Sequence, residues 1–233
     1  MTGTSVAQET PGGAATSSSS ESLDPDAEDD VPTQAPIVLI LDDDESVRET
    51  LTDLFVSVGL DAASFSTTAE LLEFPMPDRP SCLVLDLRLR GASGLELQAH
   101  LAGMDIHIPI IFITGHGDVA TSVRAMKAGA IDFLAKPFRD QELLDAVGEA
   151  LSRDRLRRLA QKEIERLRAL AVRLTPREID VLRLVGRGLL NKQIAFDLGI
   201  SEITVKMHRS SAGRKLGTRS VADMIRAVEL LKL

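Results

Sequence analysis

A chain of 233 residues has room for two domains that each bury a core of their own. Hydrophobic residues make up 44%, but aromatic ones only 3%, and no apolar run approaches the roughly 20 residues that cross a bilayer; neither a membrane span nor a secretory signal is expected. The net charge of -8 splits into -7 over residues 1–36, -8 over 37–140 and +7 over 141–233, so a cation-binding half joined to a phosphate-binding half is one reading and two solvated surfaces the other.

Residues 1–35 are rich in Ser, Thr, Gly, Pro, Asp and Glu, and cannot bury enough surface to offset their ordering entropy; they are expected to be a disordered acidic tail. From Ile37 short apolar runs predict buried strands at 37–41, 82–85 and 110–113, with weaker ones at 62–65 and 131–134. Helical patterns lie between them, near 45–58, 67–74, 93–102 and 118–128. Strands alternating with amphipathic helices predict an α/β doubly wound sheet of five parallel strands over 36–140. The one cysteine, Cys82, falls where a buried strand begins and has no partner in the chain, which fits a reducing compartment and hence the cytoplasm.

After Pro137 a long helix is predicted over 140–171, with 141–173 serving as a linker helix. Ala160, Ile164, Leu167, Ala171 and Leu174 repeat at spacings of four and three, which suits either pairing across a dimer or packing on the chain's own domain. A compact all-helical domain is expected over 174–233. Thr175-Pro-Arg-Glu178 offers an N-cap hydroxyl, a first-turn Pro and a capping-box Glu. Further helices are predicted at 191–198, 202–216 and 219–231.

In an open α/β sheet, chemistry collects beyond the carboxyl ends of the strands. Those ends carry Asp42, Asp43 and Asp44 after the first strand, Asp86 after the third, Thr114 after the fourth and Lys136 after the fifth. Clustered carboxylates repel one another and suit a hard divalent cation, while a lysine and a hydroxyl can hold a phosphoryl group. Each residue taken singly could be a loop residue or a helix cap, Asp44 above all. His100, His107 and His116 have no partner at ligand spacing and are read as ordinary polar residues.

The stretch 37–140 resembles the receiver domain of bacterial two-component response regulators, a flavodoxin-like fold. Thr114-Gly-His-Gly-Asp-Val119, Lys127-Ala-Gly-Ala-Ile-Asp-Phe133 and Lys136-Pro-Phe138 are especially close to FixJ-type receivers. The resemblance implies that Asp86 accepts the phosphoryl group and that Asp42, Asp43, Asp86 and the Arg88 backbone carbonyl hold Mg²⁺. It further implies phosphoryl contacts from Thr114 and Lys136, an aromatic switch at Phe133 and a cis Lys136-Pro137 bond. One departure stands out: the family usually has Pro four residues after the acceptor, where this chain has Arg90. Asp42-x-Asp44-x-Ser46 is also loosely similar to haloacid dehalogenase-type phosphatases. That family wants Thr or Val at Ser46 and a further acidic pair after the lysine, so an enzyme is not expected. A receiver that acts through protein contacts without phosphorylation is the other alternative.

Asn191 through His208 has the spacing of a helix-turn-helix: Ala195 is small where helices cross, Gly199 suits a left-handed turn and Ser201 can cap the second helix. Ile194, Leu198, Ile200 and Val205 would form its core, and residues 174–233 carry +5. Leu174-Thr-Pro-Arg-Glu178, Asn191-Lys-Gln-Ile-Ala195, Thr204-Val-Lys-Met-His208 and Lys215-Leu-Gly217 resemble a LuxR-type DNA-binding domain. The resemblance implies that helix 202–216 enters the major groove, with Lys206, Met207 and Ser210 facing the bases, Arg209 nearby, and Lys192, Arg214 and Lys215 on phosphates. It also implies a structural role for His208 and a dimerisation helix at 219–231, through Val221, Met224, Ile225 and Val228, although some of these could pack internally. The expected partners are a sensor histidine kinase, a double-stranded DNA operator, a second copy of the chain once phosphorylated and, as a further contact, RNA polymerase; no membrane is expected.

Overall fold

The computed structural model describes residues 35–115 and 119–233, apart from the side chain of Ala92; the tail up to Gln34 and His116 lie outside the described residues. In chain order the elements are β1 (Ile37–Leu41), α1 (Glu45–Ser57), β2 (Asp61–Phe65), α2 (Thr68–Glu73), β3 (Ser81–Asp86), α3 (Gly94–Gly103), β4 (Ile110–Thr114), α4 (Val119–Lys127), β5 (Asp132–Ala135), α5 (Asp140–Ala171), α6 (Pro176–Gly186), α7 (Asn191–Leu198), α8 (Glu202–Leu216) and α9 (Val221–Leu231). A two-residue hairpin, Arg88–Leu89 with Ala92–Ser93, follows β3.

The strands form one parallel sheet in the order β2-β1-β3-β4-β5. Because side chains alternate across a strand, each apolar run feeds two cores. Leu39, Leu41, Leu83, Leu85 and Phe112 face one side with Leu71, Leu97, Leu101 and Ala125 of α2, α3 and α4. Val38, Ile40, Val84, Ile111 and Ile113 face the other, under Leu51 and Phe55 of α1 and Leu143, Val147 and Leu151 of α5. The two strands with the weaker sequence signal, β2 and β5, are the sheet edges, where less apolar surface is covered. The connections reverse direction between β1 and β3, and there the acidic strand ends meet.

α5 is continuous over 32 residues, about 48 Å at 1.5 Å per residue. Its first three turns belong to the receiver-side core, so packing runs through the expected boundary at residue 141. Its last turns, through Leu167, Leu170 and Ala171, pack into the helical core of α6–α9. Of the two uses left open for the linker, this end packs on its own domain. Its middle is held by Asp154, which is fully buried: its carboxylate accepts from the Ser81 N–H at 3.0 Å, Arg157 Nη2 at 2.7 Å and Arg158 Nε at 2.6 Å. Arg158 also donates to the Pro77 carbonyl at 2.8 Å, latching the helix to the entry of β3.

Candidate functional site

The pocket at the carboxyl edge of the sheet is an open cavity of about 670 Å³ that brings together Asp42, Asp43, Asp86, Arg88, Thr114 and Lys136 from four separate strand ends. Lys136 follows β5, its bond to Pro137 is cis, and its ammonium donates to Asp42 Oδ2 at 2.7 Å and to Asp86 Oδ2 at 2.9 Å. The remaining oxygens are oriented by the backbone: Asp42 Oδ1 accepts from the Asp44 N–H and Asp86 Oδ1 from the Arg88 N–H, each at 2.9 Å. Burial pushes the Asp42 carboxyl above its ordinary value, against the lowering by Lys136 and the Asp44 N–H; the Asp86 charge adds to the rise. Lys136 is pulled down by burial, but the two carboxylates outweigh this and raise it, so it stays an ammonium.

One ligand oxygen from each of Asp42, Asp43 and Asp86 lies within 4.8 Å of the other two. The Lys136 ammonium reaches only Asp42 and Asp86 of the three carboxylates, and hard oxygen donors at this spacing fit a divalent ion such as Mg²⁺. Asp44 does not join them. It caps α1, accepting from the Ser46 N–H at 2.9 Å and the Ser46 hydroxyl at 2.8 Å. The Thr114 side chain is buried at the tip of β4, and the half-buried Phe133 ring in β5 lies 6.4 Å from that of Phe112.

Arg90 occupies a tight turn. The hairpin pairs Arg88 with Ser93 and Leu89 with Ala92, and Gly91 has φ 81°, the value required at the third position of a type II turn. That leaves Arg90 at the second position, where Pro is favoured, so the hairpin maintains the bend without it. Its guanidinium, with a side chain 86% exposed, reaches across to Asp43 Oδ2 at 2.9 Å. Two residues that sequence reasoning passed over also shape the pocket. Arg48 Nη1 donates to the Asp42 carbonyl at 2.8 Å. Gly94 is pressed against the acceptor loop, and a Cβ there would sit 2.7 Å from the Asp86 carbonyl oxygen. A glycine opening a helix carries no sequence signal for such a contact.

The second site lies on α7 and α8. Gly199 adopts φ 63° between them, and the Ser201 hydroxyl accepts from the Thr204 N–H at 3.1 Å to start α8. Ile194, Ala195 and Val205 are buried, with Leu198 and Ile200 packed beside them. Lys192, Lys206, Met207, Ser210 and Arg214 are exposed, as groove and phosphate contacts require. Two of the residues expected on DNA have partners inside the protein. Arg209 Nη1 donates to Asn191 Oδ1 at 2.5 Å, tying α8 to α7. Lys215 Nζ donates to Glu178 Oε2 at 2.7 Å, where Glu178 is buried and also accepts from the Ser211 hydroxyl and the Thr175 N–H. His208 is half-buried. On α9, Met224, Ala227 and Val228 point into the domain, Ile225 is partly buried and Val221 is exposed.

Residues 38–148 match the family model of the response regulator receiver domain, and residues 172–228 that of the bacterial regulatory proteins of the luxR family. Nodulation protein W of Bradyrhizobium diazoefficiens is 56% identical over 195 residues, 84% of this chain and 86% of that one. The response regulator protein TodT of Pseudomonas putida is 43% identical over 199 residues, 85% of this chain and 88% of that one. Among solved structures, the response regulator StyR matches with a TM-score of 0.70 at 49% identity, covering 84% of this chain and 98% of that one.

Proposed function

We propose a phosphorylation switch on one premise: the chain belongs to the two-component response regulators that join a receiver domain to a LuxR-type DNA-binding domain. It is a transcriptional regulator and not an enzyme. Its two domains imply a histidine kinase and DNA as partners. The observation that carries the mechanism is the single ammonium of Lys136 bridging Asp42 and Asp86, with Asp43 alongside.

A carboxylate oxygen of Asp86 attacks the phosphorus of a kinase phosphohistidine; an acyl phosphate forms and the imidazole leaves. Lys136 exchanges its Asp86 contact for a phosphoryl oxygen, and the Thr114 hydroxyl donates to another. Asp42, Asp43, Asp86 and the Arg88 carbonyl would hold Mg²⁺, which would supply charge that neutralises the phosphoryl oxygens. Thr114 and Phe133 shift with the new anion and alter the α4–β5–α5 face. That face presents Val119, 80% exposed, with Val123 and Met126 on the same helix, apolar surface suited to a second copy of the chain. Dimers set two α8 helices on neighbouring half-sites. Lys206, Met207 and Ser210 face the bases, while Lys192 and Arg214 hold phosphates. Arg209 and Lys215 act as positioning residues that fix α8 against α7 and α6. RNA polymerase is a further contact of the bound dimer, and the cytoplasm is where kinase, operator and chain meet.

The test is gel filtration with and without beryllofluoride and Mg²⁺, followed by selection from random DNA. A shift from monomer to dimer with tighter, sequence-selective binding is expected. In the same assay, Lys206→Ala weakens binding to the selected sequence by roughly 10- to 100-fold and non-specific DNA far less. Unchanged size and unchanged DNA affinity would sink the switch and leave a receiver working through protein contacts.

Arg90 bears on the metal. Its guanidinium occupies an Asp43 oxygen and adds positive charge beside the cation site, so both competition and repulsion oppose the metal. Calorimetry should show Arg90→Ala binding Mg²⁺ tighter, by less than about tenfold because the pair is exposed, with the gain shrinking as salt rises.

A further inference from the structure

The α8 surface that faces away from the protein combines charge with unusually bare apolar side chains. At about 100° per residue, Ile203, Lys206, Met207, Ser210 and Arg214 fall within roughly 100° of arc. Val205, Ala212 and Leu216, all buried, lie on the opposite side. In that outward stripe Ile203 is 79% exposed and Met207 59% exposed. Neither contributes to the helical core, which closes on the far face. Ile203 is absent from the polar contacts expected of a groove reader, and a β-branched residue in the first turn of an exposed helix face gives no benefit to helix stability.

Placed in a major groove, however, two neighbouring apolar side chains beside a lysine find one apolar feature on the base edges, the C5-methyl group of thymine. The surrounding charge selects this occupant: Lys206 borders the pair on the same arc, on the Ile203 side, Arg214 follows two turns on, and the domain carries +5, which suits a polyanion.

We infer that Ile203 and Met207 are specificity-determining residues that contact thymine methyl groups, each reading one thymine in the half-site beside the base pair met by Lys206. This rests on the DNA-binding role proposed above and names the base chemistry the site takes. Lys206 supplies a donor for guanine acceptors. Ile203 and Met207 add discrimination by burying a methyl group that cytosine lacks, and a hydrogen-bonding side chain in either place would read a different base.

The experiment uses the full chain with beryllofluoride and a DNA sequence that it enriches from a random pool. Each thymine of that sequence is replaced singly by uracil, which removes only the methyl group. The expected result is a loss of about three- to fivefold at one thymine per half-site that vanishes in Ile203→Ala, and a like loss at a second that vanishes in Met207→Ala. Both residues are exposed, and matched melting curves of the variants confirm that the fold is intact. If the chain enriches a sequence but is indifferent to every thymine methyl, the inference fails and the groove assignment stands. Methyl effects that persist in both variants overturn it equally. A chain that enriches no sequence at all overturns the groove assignment together with the inference.

Discussion

Asp86→Asn takes up no phosphoryl group from acetyl phosphate, a loss of at least about 1000-fold, because an amide oxygen is no nucleophile at neutral pH. The same chain melts close to the unaltered protein. Its amide oxygen still accepts from the Arg88 N–H, which now meets the carboxylate at 2.9 Å, and Lys136, which loses its Asp86 partner, is a quarter exposed and keeps its 2.7 Å contact with Asp42. Removing one of three close negative charges also relieves the repulsion among Asp42, Asp43 and Asp86. Phosphate-affinity electrophoresis measures the uptake, with a metal-free sample alongside; chelating Mg²⁺ should suppress labelling of the unaltered chain. Undiminished label on Asp86→Asn would move the acceptor to a neighbouring carboxylate, and full labelling without divalent metal would remove Mg²⁺ from the mechanism.

Glu178→Gln destabilises the DNA-binding domain by roughly 2–3 kcal/mol, because the amide turns N–H groups toward donors that need an acceptor. Burial alone would raise the Glu178 carboxyl. The Lys215 ammonium, the Thr175 N–H and the hydroxyls of Ser211 and Thr175 outweigh it and hold the group at about 2, against 4.5 ordinarily. A folded-state value below the unfolded one means that the folded state holds its proton less readily. The carboxylate's contribution is therefore complete above about pH 4.5 and is lost as pH falls toward about 2. Urea unfolding at several pH values measures it: the gap between the unaltered chain and Glu178→Gln should be widest near neutrality and should close across that acid window. A gap that stays constant down to pH 2 would show that the carboxylate's charge is not its source, and one absent at neutrality that the network contributes nothing. Loss of operator binding in Glu178→Gln would accompany the loosening, since Lys215 and Ser211 sit on α8, the helix proposed to enter the groove.

Much of the pocket was legible before any coordinates, and the reason is local. Apolar runs at 37–41, 82–85 and 110–113 specify buried strands because both faces of a covered sheet demand them, and the residue after each run must then emerge at the carboxyl edge. Asp42, Asp86 and Thr114 were therefore placed by chain position alone. The helix starts at Thr175 and Ser201 and the left-handed turn at Gly199 were equally readable, since caps and turns depend on residues within one turn of helix.

What no local pattern contains is the choice among equivalent charges. Lys192 and Lys215 look alike along the chain, yet one is exposed and the other is bound to a carboxylate 37 positions away. Asp154 reads as one more acid on a charged helix, while packing α5 on the sheet buries it and brings it to the Ser81 N–H, 73 positions back. Leu156, 64% exposed, lies outside the heptad-like repeat read along the linker. Composition, periodicity and turn chemistry determined which elements form and which strand ends carry acids. Tertiary packing alone decided which charges are paired within the protein and which stay exposed, because that depends on distances between residues far apart in the chain.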